Sequence, residues 1–188
     1  MKTKLTLILL AMVTMCMTVN AQKNGASAPE ASKVLIAYFS ATGTTAGVAN
    51  KIANVTGGKL YRILPETDYS RADLNWNNKQ SRSSVEMNDP KVRPTLKDKN
   101  VNAADYDVVF LGYPIWWDKA PRIINTFIEA YDWKGKRIIP FATSGGSSIR
   151  NSVKELKENY PDLTWEEGRL LNGADESSIR KWTAQFGF

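Results

Sequence analysis

The sequence contains no histidine and one cysteine, Cys16. Without imidazole there is no Ser-His-Asp triad, no Cys-His dyad and no His-ligated metal. Two phosphate-binding signatures are missing as well: no Gly-Lys-Ser/Thr ends a Walker A loop, and no G-x-G-x-x-G follows a strand. The 25 lysines and arginines exceed the 19 acids, for a formal net charge of +6, but they are scattered. With no dense basic run interleaved with aromatics, nucleic acid is not an expected partner.

Long apolar runs are scarce too. The one at residues 5–19 follows Lys2 and Lys4 and ends at Val19-Asn20-Ala21, small residues that suit cleavage after Ala21. A basic start, a short apolar stretch and such a site read as a secretory signal peptide over residues 1–21. The run is short for a membrane span and is interrupted by Thr, so no stable span is expected after cleavage. A lipoprotein would use Cys16 as its acylated residue, and the bulky Met15 before it argues against that. The expected location is therefore periplasmic or extracellular. Residues 22–32 (QKNGASAPEAS) are small and polar and read as a flexible linker. Cleavage removes Lys2, Lys4 and Cys16, leaving a net charge of +4 and no thiol to act as nucleophile or metal ligand. Any difficult chemistry then falls to a cofactor.

Apolar content, 43% of residues, is ample for a folded domain. Residues 33–39 (KVLIAYF) form a continuous apolar run of the kind found in strands buried on both faces. Further strands are expected at 59–64, 107–112, 137–142 and, with the weakest pattern, 163–171. Helical spacing appears at 46–55, 120–131, 148–159 and 176–186. Pro140 sits awkwardly inside the fourth strand. Residues 66–104 are polar and rich in Asn and Ser, and read as an ordered excursion with a short helix near Leu74. Strand-helix alternation repeated about five times predicts an α/β fold with a doubly wound parallel sheet.

Ligands in such sheets bind beyond the carboxyl ends of the strands, where strand order reverses. Three loops qualify. The first, Ser40-Ala41-Thr42-Gly43-Thr44-Thr45, offers hydroxyls and helix-start N–H groups to an anion, and a phosphate monoester suits it better than a pyrophosphate. Alternatively, its Ser and Thr residues only cap the helix. The second, Tyr113-Pro114-Ile115-Trp116-Trp117-Asp118, offers indoles to a planar ring. Trp116 is expected against the ring and Trp117 partly packed; alternatively both tuck under the excursion. The third, Ser144-Gly145-Gly146-Ser147, allows close backbone approach to ring carbonyls, or is simply a flexible strand-to-helix turn. It lacks G-x-S-x-G, and no His exists to activate its serines. Together the loops suit a ligand with a phosphate tail and a flat heteroaromatic head.

VLIAYFSATGTT, DYDVVFLGYPIWWDKAPRIINTFIE and IIPFATSGGSSI resemble the three cofactor loops of the flavodoxin family. LNWNNKQSRSSVEMNDPKVRP resembles the insert of a bacterial flavodoxin-like subgroup. The resemblance covers residues 33–188 and implies a five-stranded parallel sheet in order 2-1-3-4-5 with non-covalently bound FMN. It implies that Ser40, Thr42, Gly43, Thr44 and Thr45 hold the phosphate. Pro114, Ile115, Trp116 and Trp117 would line the ring, and residues 144–147 would meet its other edge. Asp118 stands where related proteins often carry Gly. A non-Gly residue there restrains backbone reorientation, and a nearby carboxylate disfavours an anionic reduced flavin. The expected function is electron transfer to a partner protein or reduction of a small acceptor such as a quinone. The alternatives are an exported, non-catalytic binding protein for flavin or another phosphorylated aromatic, and a scaffold acting through the excursion without cofactor.

Overall fold

The computed structural model describes residues 33–188; the signal-peptide and linker expectations lie outside them. The strands are β1 (Val34–Tyr38), β2 (Lys59–Arg62), β3 (Val108–Pro114), β4 (Arg137–Thr143), β5 (Thr164–Trp165) and β6 (Arg169–Leu170). All pair in parallel, in the order β2-β1-β3-β4-β5, with β6 also on β4. The helices are α1 (Thr44–Thr56), α2 (Arg82–Asn88), α3 (Arg122–Glu129), α4 (Arg150–Asn159) and α5 (Glu176–Thr183).

The apolar runs become strands because both faces of the sheet are covered. Alternate residues of β1 serve opposite cores. Val34 and Ile36 pack with Ile52 of α1 and Trp182 of α5, whereas Leu35 and Ala37 pack with Ile124 and Phe127 of α3. A strand facing water on one side would show alternation instead.

Two expectations are corrected. The short helix expected near Leu74 forms later, as α2. Around Leu74 the chain makes only turns, with the Asp73 carboxylate accepting from the Ser70 N–H at 2.9 Å. What fixes α2 is polar: the Ser81 hydroxyl caps it by accepting from the Ser84 N–H, and the Ser83 and Ser84 hydroxyls donate to the carbonyls of Asp73 and Asn78 at 2.6 and 2.7 Å. Buried Ser83, Ser84 and Glu86 carry no hydrophobic period.

The strand expected at 163–171 is broken into β5 and β6, and Pro140 explains the break. The Ile138 and Ala142 carbonyls accept from Glu166 and Leu171 N–H groups at 2.8 and 2.9 Å, so that side of β4 faces the last strand. Pro140 lies between them with the same facing and has no N–H to offer. On the other side β4 pairs with β3 without interruption from Arg137 to Thr143.

The excursion is pinched at its neck. The Glu66 N–H donates to the Thr95 carbonyl at 2.8 Å and the Lys97 N–H to the Leu64 carbonyl at 2.9 Å. Strand order reverses between β1 and β3, and the loops that follow β1, β3 and β4 emerge at one edge beside the excursion.

Candidate functional site

The first loop turns through Gly43, whose φ of 93° lies in the left-handed region that glycine adopts freely. The buried Ser40 hydroxyl braces the turn by accepting from the Gly43 N–H at 3.1 Å. No side chain caps α1. Its first internal bond runs from the Gly47 N–H to the Gly43 carbonyl at 3.0 Å, which leaves the N–H groups of Thr44, Thr45 and Ala46 without a helical acceptor. The capped-helix alternative is thereby removed, because the Ser and Thr residues of this loop do other work. Thr42 and Thr44 are exposed with their hydroxyls 3.4 Å apart. Thr45 is only 1% exposed, and its hydroxyl meets that of Thr143 at 2.8 Å, tying the loop to the end of β4.

The second loop is a tight two-residue hairpin. Trp116 and Lys119 exchange backbone hydrogen bonds of 3.0 and 2.9 Å. Trp117 and Asp118 span the turn with φ of 46° and 63°. Positive φ at both central positions is the geometry of a type I′ turn, normally built from Asn and Gly. The Asn151 side-chain amide of α4 donates to the Asp118 carbonyl at 3.3 Å. Below the turn, Tyr113 is fully buried and its hydroxyl meets that of Ser152 at 3.2 Å, so its side chain supports the loop from beneath. Burial raises the pKa of that phenol.

Of the two indoles, Trp116 lines the cleft between the loops and Trp117 does not. Trp116 is the packed one, edge-on to Phe39 and Tyr69 at ring separations of 5.5 and 5.2 Å. Trp117 is 43% exposed. Tyr69 belongs to the excursion, and its hydroxyl donates to the buried carboxylate of Glu86. Arg82 donates to the same carboxylate at 2.6 Å and lies 4.0 Å over the Tyr69 ring. The excursion thus clamps the base of the aromatic loop.

In the third loop the Ser144 hydroxyl accepts from the Gly146 and Ser147 N–H groups at 3.1 and 2.8 Å, a side-chain-made turn. Asn172, in the loop after β6, brackets Ser144. Its amide oxygen accepts from the Ser144 N–H at 2.8 Å, and its NH2 group donates to the Ser144 carbonyl. The sequence reading missed Asn172. The only local signal is the Asn172-Gly173 turn dipeptide, and nothing in it shows the 28-residue link back to Ser144.

The three loops converge on a cleft of about 430 Å3, lined by Thr42, Thr44 and residues 114–116 on one side and by Thr143, Ser144, Gly145, Asn172 and Gly173 on the other. No charged side chain lines it. Neutral hydroxyls and free helix-start N–H groups can hold an anion, and the Pro114-Ile115-Trp116 wall can hold an apolar ring. Gly146, Ser147, Trp117 and Asp118 lie in the same loops but outside the cleft lining, as do Ser40, Gly43 and Thr45 at its base.

The Flavodoxin family model matches residues 33–186. No curated protein matches. A candidate flavoprotein from Bacteroides eggerthii DSM 20697 is 64% identical, covering 84% of this chain and 99% of its own, with a TM-score of 0.81. Another, from Bacteroides uniformis ATCC 8492, is 54% identical over 82% of this chain and 99% of its own, with a TM-score of 0.80. A flavoprotein in complex with FMN from Lactobacillus acidophilus NCFM shares the fold at 23% identity, covering 81% of this chain and 99% of its own, with a TM-score of 0.64. With its sheet order, its three loops at one edge and a family match over nearly all the described residues, the chain belongs to the flavodoxin family.

Proposed function

We propose that the protein binds FMN non-covalently in the three-loop cleft and works as a redox protein, passing electrons to a partner protein or to a small acceptor. The observation that carries this reading is the uncapped start of α1 at the mouth of a cleft with no carboxylate in its lining. The N–H groups of residues 44–46 and the hydroxyls of Thr42 and Thr44 hold the phosphate, favoured by the positive end of the helix dipole. Thr45 and Ser40 act from below, keeping the loop in place through Thr143 and Gly43. The wall at residues 114–116 shelters the ring from water, and the bracket made by Asn172 fixes the Ser144 backbone at the ring's other edge. Bound there, FMN supplies the one- and two-electron chemistry that side chains lacking thiol and imidazole do not. The FMN-bound state of the Lactobacillus acidophilus relative supports the cofactor assignment.

The purified protein is expected to be yellow, or to become so with added FMN, and to bleach reversibly with dithionite. Binding without reversible reduction would favour a carrier without turnover. The double variant Thr42→Ala with Thr44→Ala removes two donors to a charged group and should weaken FMN about 100-fold. Riboflavin, which has no phosphate, should be little affected. Equal losses for both ligands would place the phosphate elsewhere.

We also propose that the chain is exported, on the basis of Lys2, Lys4, the apolar run 5–19 and the small residues before Gln22. The exported protein should begin at Gln22 on N-terminal sequencing; a chain retained in the cytoplasm with its leader intact would overturn this.

A further inference from the structure

The break in the last strand leaves a groove of about 670 Å3 between α4 and the chain that joins β5 to β6. It shares no lining residue with the FMN cleft. Ile149 at the start of α4, Val153 within it and Leu170 of β6 lie half-buried in its floor. Gly168 completes that floor. A Cβ there would lie 3.0 Å from the Val153 side chain and 3.1 Å from those of Ile149 and Pro140, so glycine lets the chain pass this close. Val153 packs into neither core, although it is an aliphatic residue on the inner side of a helix.

Around this floor stand Arg150, Lys154 and Lys157, all exposed. Their spacing places them on one face of α4, over about 10 Å. Arg150 and Lys157 make no hydrogen bond or ion pair among the described residues. Lys154 reaches Glu158 only at 3.8 Å with both side chains largely exposed, a pairing worth little. Glu155, the other acid of α4, is already held by Arg122 and Lys119 at 3.1 and 3.5 Å. Glu167, from the β5–β6 chain, is the remaining acid in the lining. An apolar floor beneath an excess of unengaged cations is the complement of an acidic surface with an apolar centre. No aromatic lines the groove, so nucleic-acid bases have nothing to stack on. Its concave floor suits a protruding protein surface better than a flat membrane.

We propose that this groove is the docking site for a partner protein with an acidic surface, whose apolar centre covers Ile149, Val153 and Leu170 and whose carboxylates pair with Arg150, Lys154 and Lys157. The docking stands on the groove itself; only the partner's role as electron acceptor rests on the proposed FMN function. That role fits the position of α4, whose start is joined to two of the cofactor loops. Ser148 follows directly on Ser147 of the third loop, and the Asn151 amide donates to the Asp118 carbonyl of the second. A partner seated on α4 is therefore beside the flavin cleft without entering it.

The test follows binding of the soluble domain of cytochrome b5, an acidic haem protein, to the full chain by calorimetry, with and without FMN. Binding is expected in both states at low ionic strength and should weaken about tenfold at about 0.3 M salt. Cytochrome c, a basic haem protein, should not bind. Arg150→Gln with Lys157→Gln, at exposed positions where folding is not at stake, should raise the cytochrome b5 Kd about tenfold. Lys59→Gln with Lys99→Gln removes the same charge beside β2, at the opposite edge of the sheet, and should change it less than about twofold. Val153→Asp, which sets a carboxylate in the floor, should also weaken binding about tenfold, with FMN affinity unchanged in every variant. Reduction of sub-saturating cytochrome b5 by the dithionite-reduced, FMN-loaded protein should slow in the same proportion. Four results would overturn the proposal: no binding, equal weakening by the β2-side pair, preference for phosphatidylglycerol vesicles over the cytochrome, or a dimer in sedimentation that Val153→Asp dissolves. Docking as expected in a chain that ignores FMN would end the flavin reading and leave this surface standing. Docking as expected, with reduction unaffected by the α4 variants, would overturn the acceptor role.

Discussion

Asp118 sits with φ of 63° immediately after Trp117 at 46°, so a strained turn is built from residues with full side chains. Each L residue in this region costs roughly 1–2 kcal/mol relative to ordinary backbone. The turn persists because its neighbours over-determine it: two backbone bonds between Trp116 and Lys119, and the Asn151 amide on the Asp118 carbonyl. Asp118→Gly should therefore be nearly neutral in urea unfolding, since relief of strain offsets the extra freedom of glycine in the unfolded chain. Asp118→Val should lose about 2 kcal/mol, because a β-branched residue at positive φ crowds its own backbone. Equal stability of the two variants would mean that the turn relaxes and is not held. At this scale the three loops were legible before the structure, because each follows an apolar run and a ligand edge lies beyond strand ends. The clamp on Trp116 was not, because it depends on Phe39 and Tyr69, distant residues whose rings meet Trp116 only after folding.

Among the elements, the excursion carries the most consequence and was the least legible. Strands β1 and β3 announce themselves through unbroken apolar runs, and α3 through its apolar face. Helix α2 buries serines and a glutamate, and its place is set by hydroxyls reaching back to Asp73 and Asn78. One outer tie joins the excursion to α3: Arg93 donates to Glu129 at 2.8 Å, and the Tyr160 hydroxyl adds a bond of 2.6 Å to the same carboxylate. The Arg93 bond holds the Glu129 pKa below the ordinary value of 4.5, against a smaller opposing effect of burial. A carboxyl with a depressed folded pKa contributes its stability above the unfolded value, and loses it as pH falls from about 4.5 through the folded pKa. Proteolysis within residues 89–97 should therefore accelerate below about pH 4.5. Glu129→Gln should cleave faster at neutral pH and lose most of that pH dependence. Cleavage at the same rate across this range would show that the tie does not hold the segment. The partners are partly exposed, so the effect is expected to be local rather than global.

For the whole molecule, the reversal of strand order between β1 and β3 brings residues from opposite ends of the domain to one edge. Thr42 and Asn172 line the same cleft although the chain runs through five strands between them. The parallel sheet itself follows from the alternation in sequence, but the bracket from Asn172 to Ser144 does not, because nothing local encodes a 28-residue partnership. The fold also leaves the domain with two polarities. One edge of the sheet opens into clefts lined by hydroxyls and indoles, and the opposite end is sealed by short turns such as Lys136 N–H to Trp133 carbonyl at 3.0 Å. With Cys16 removed, the proposed exported form contains no thiol, so an oxidising compartment would give it nothing to cross-link.

Pro140 has one more effect. The missing amide that splits the last strand into two-residue pieces also blunts the β5–β6 margin of the sheet. A stray extended chain seeking to add itself there would find no continuous ladder to copy, which guards the domain against fibrillar self-association.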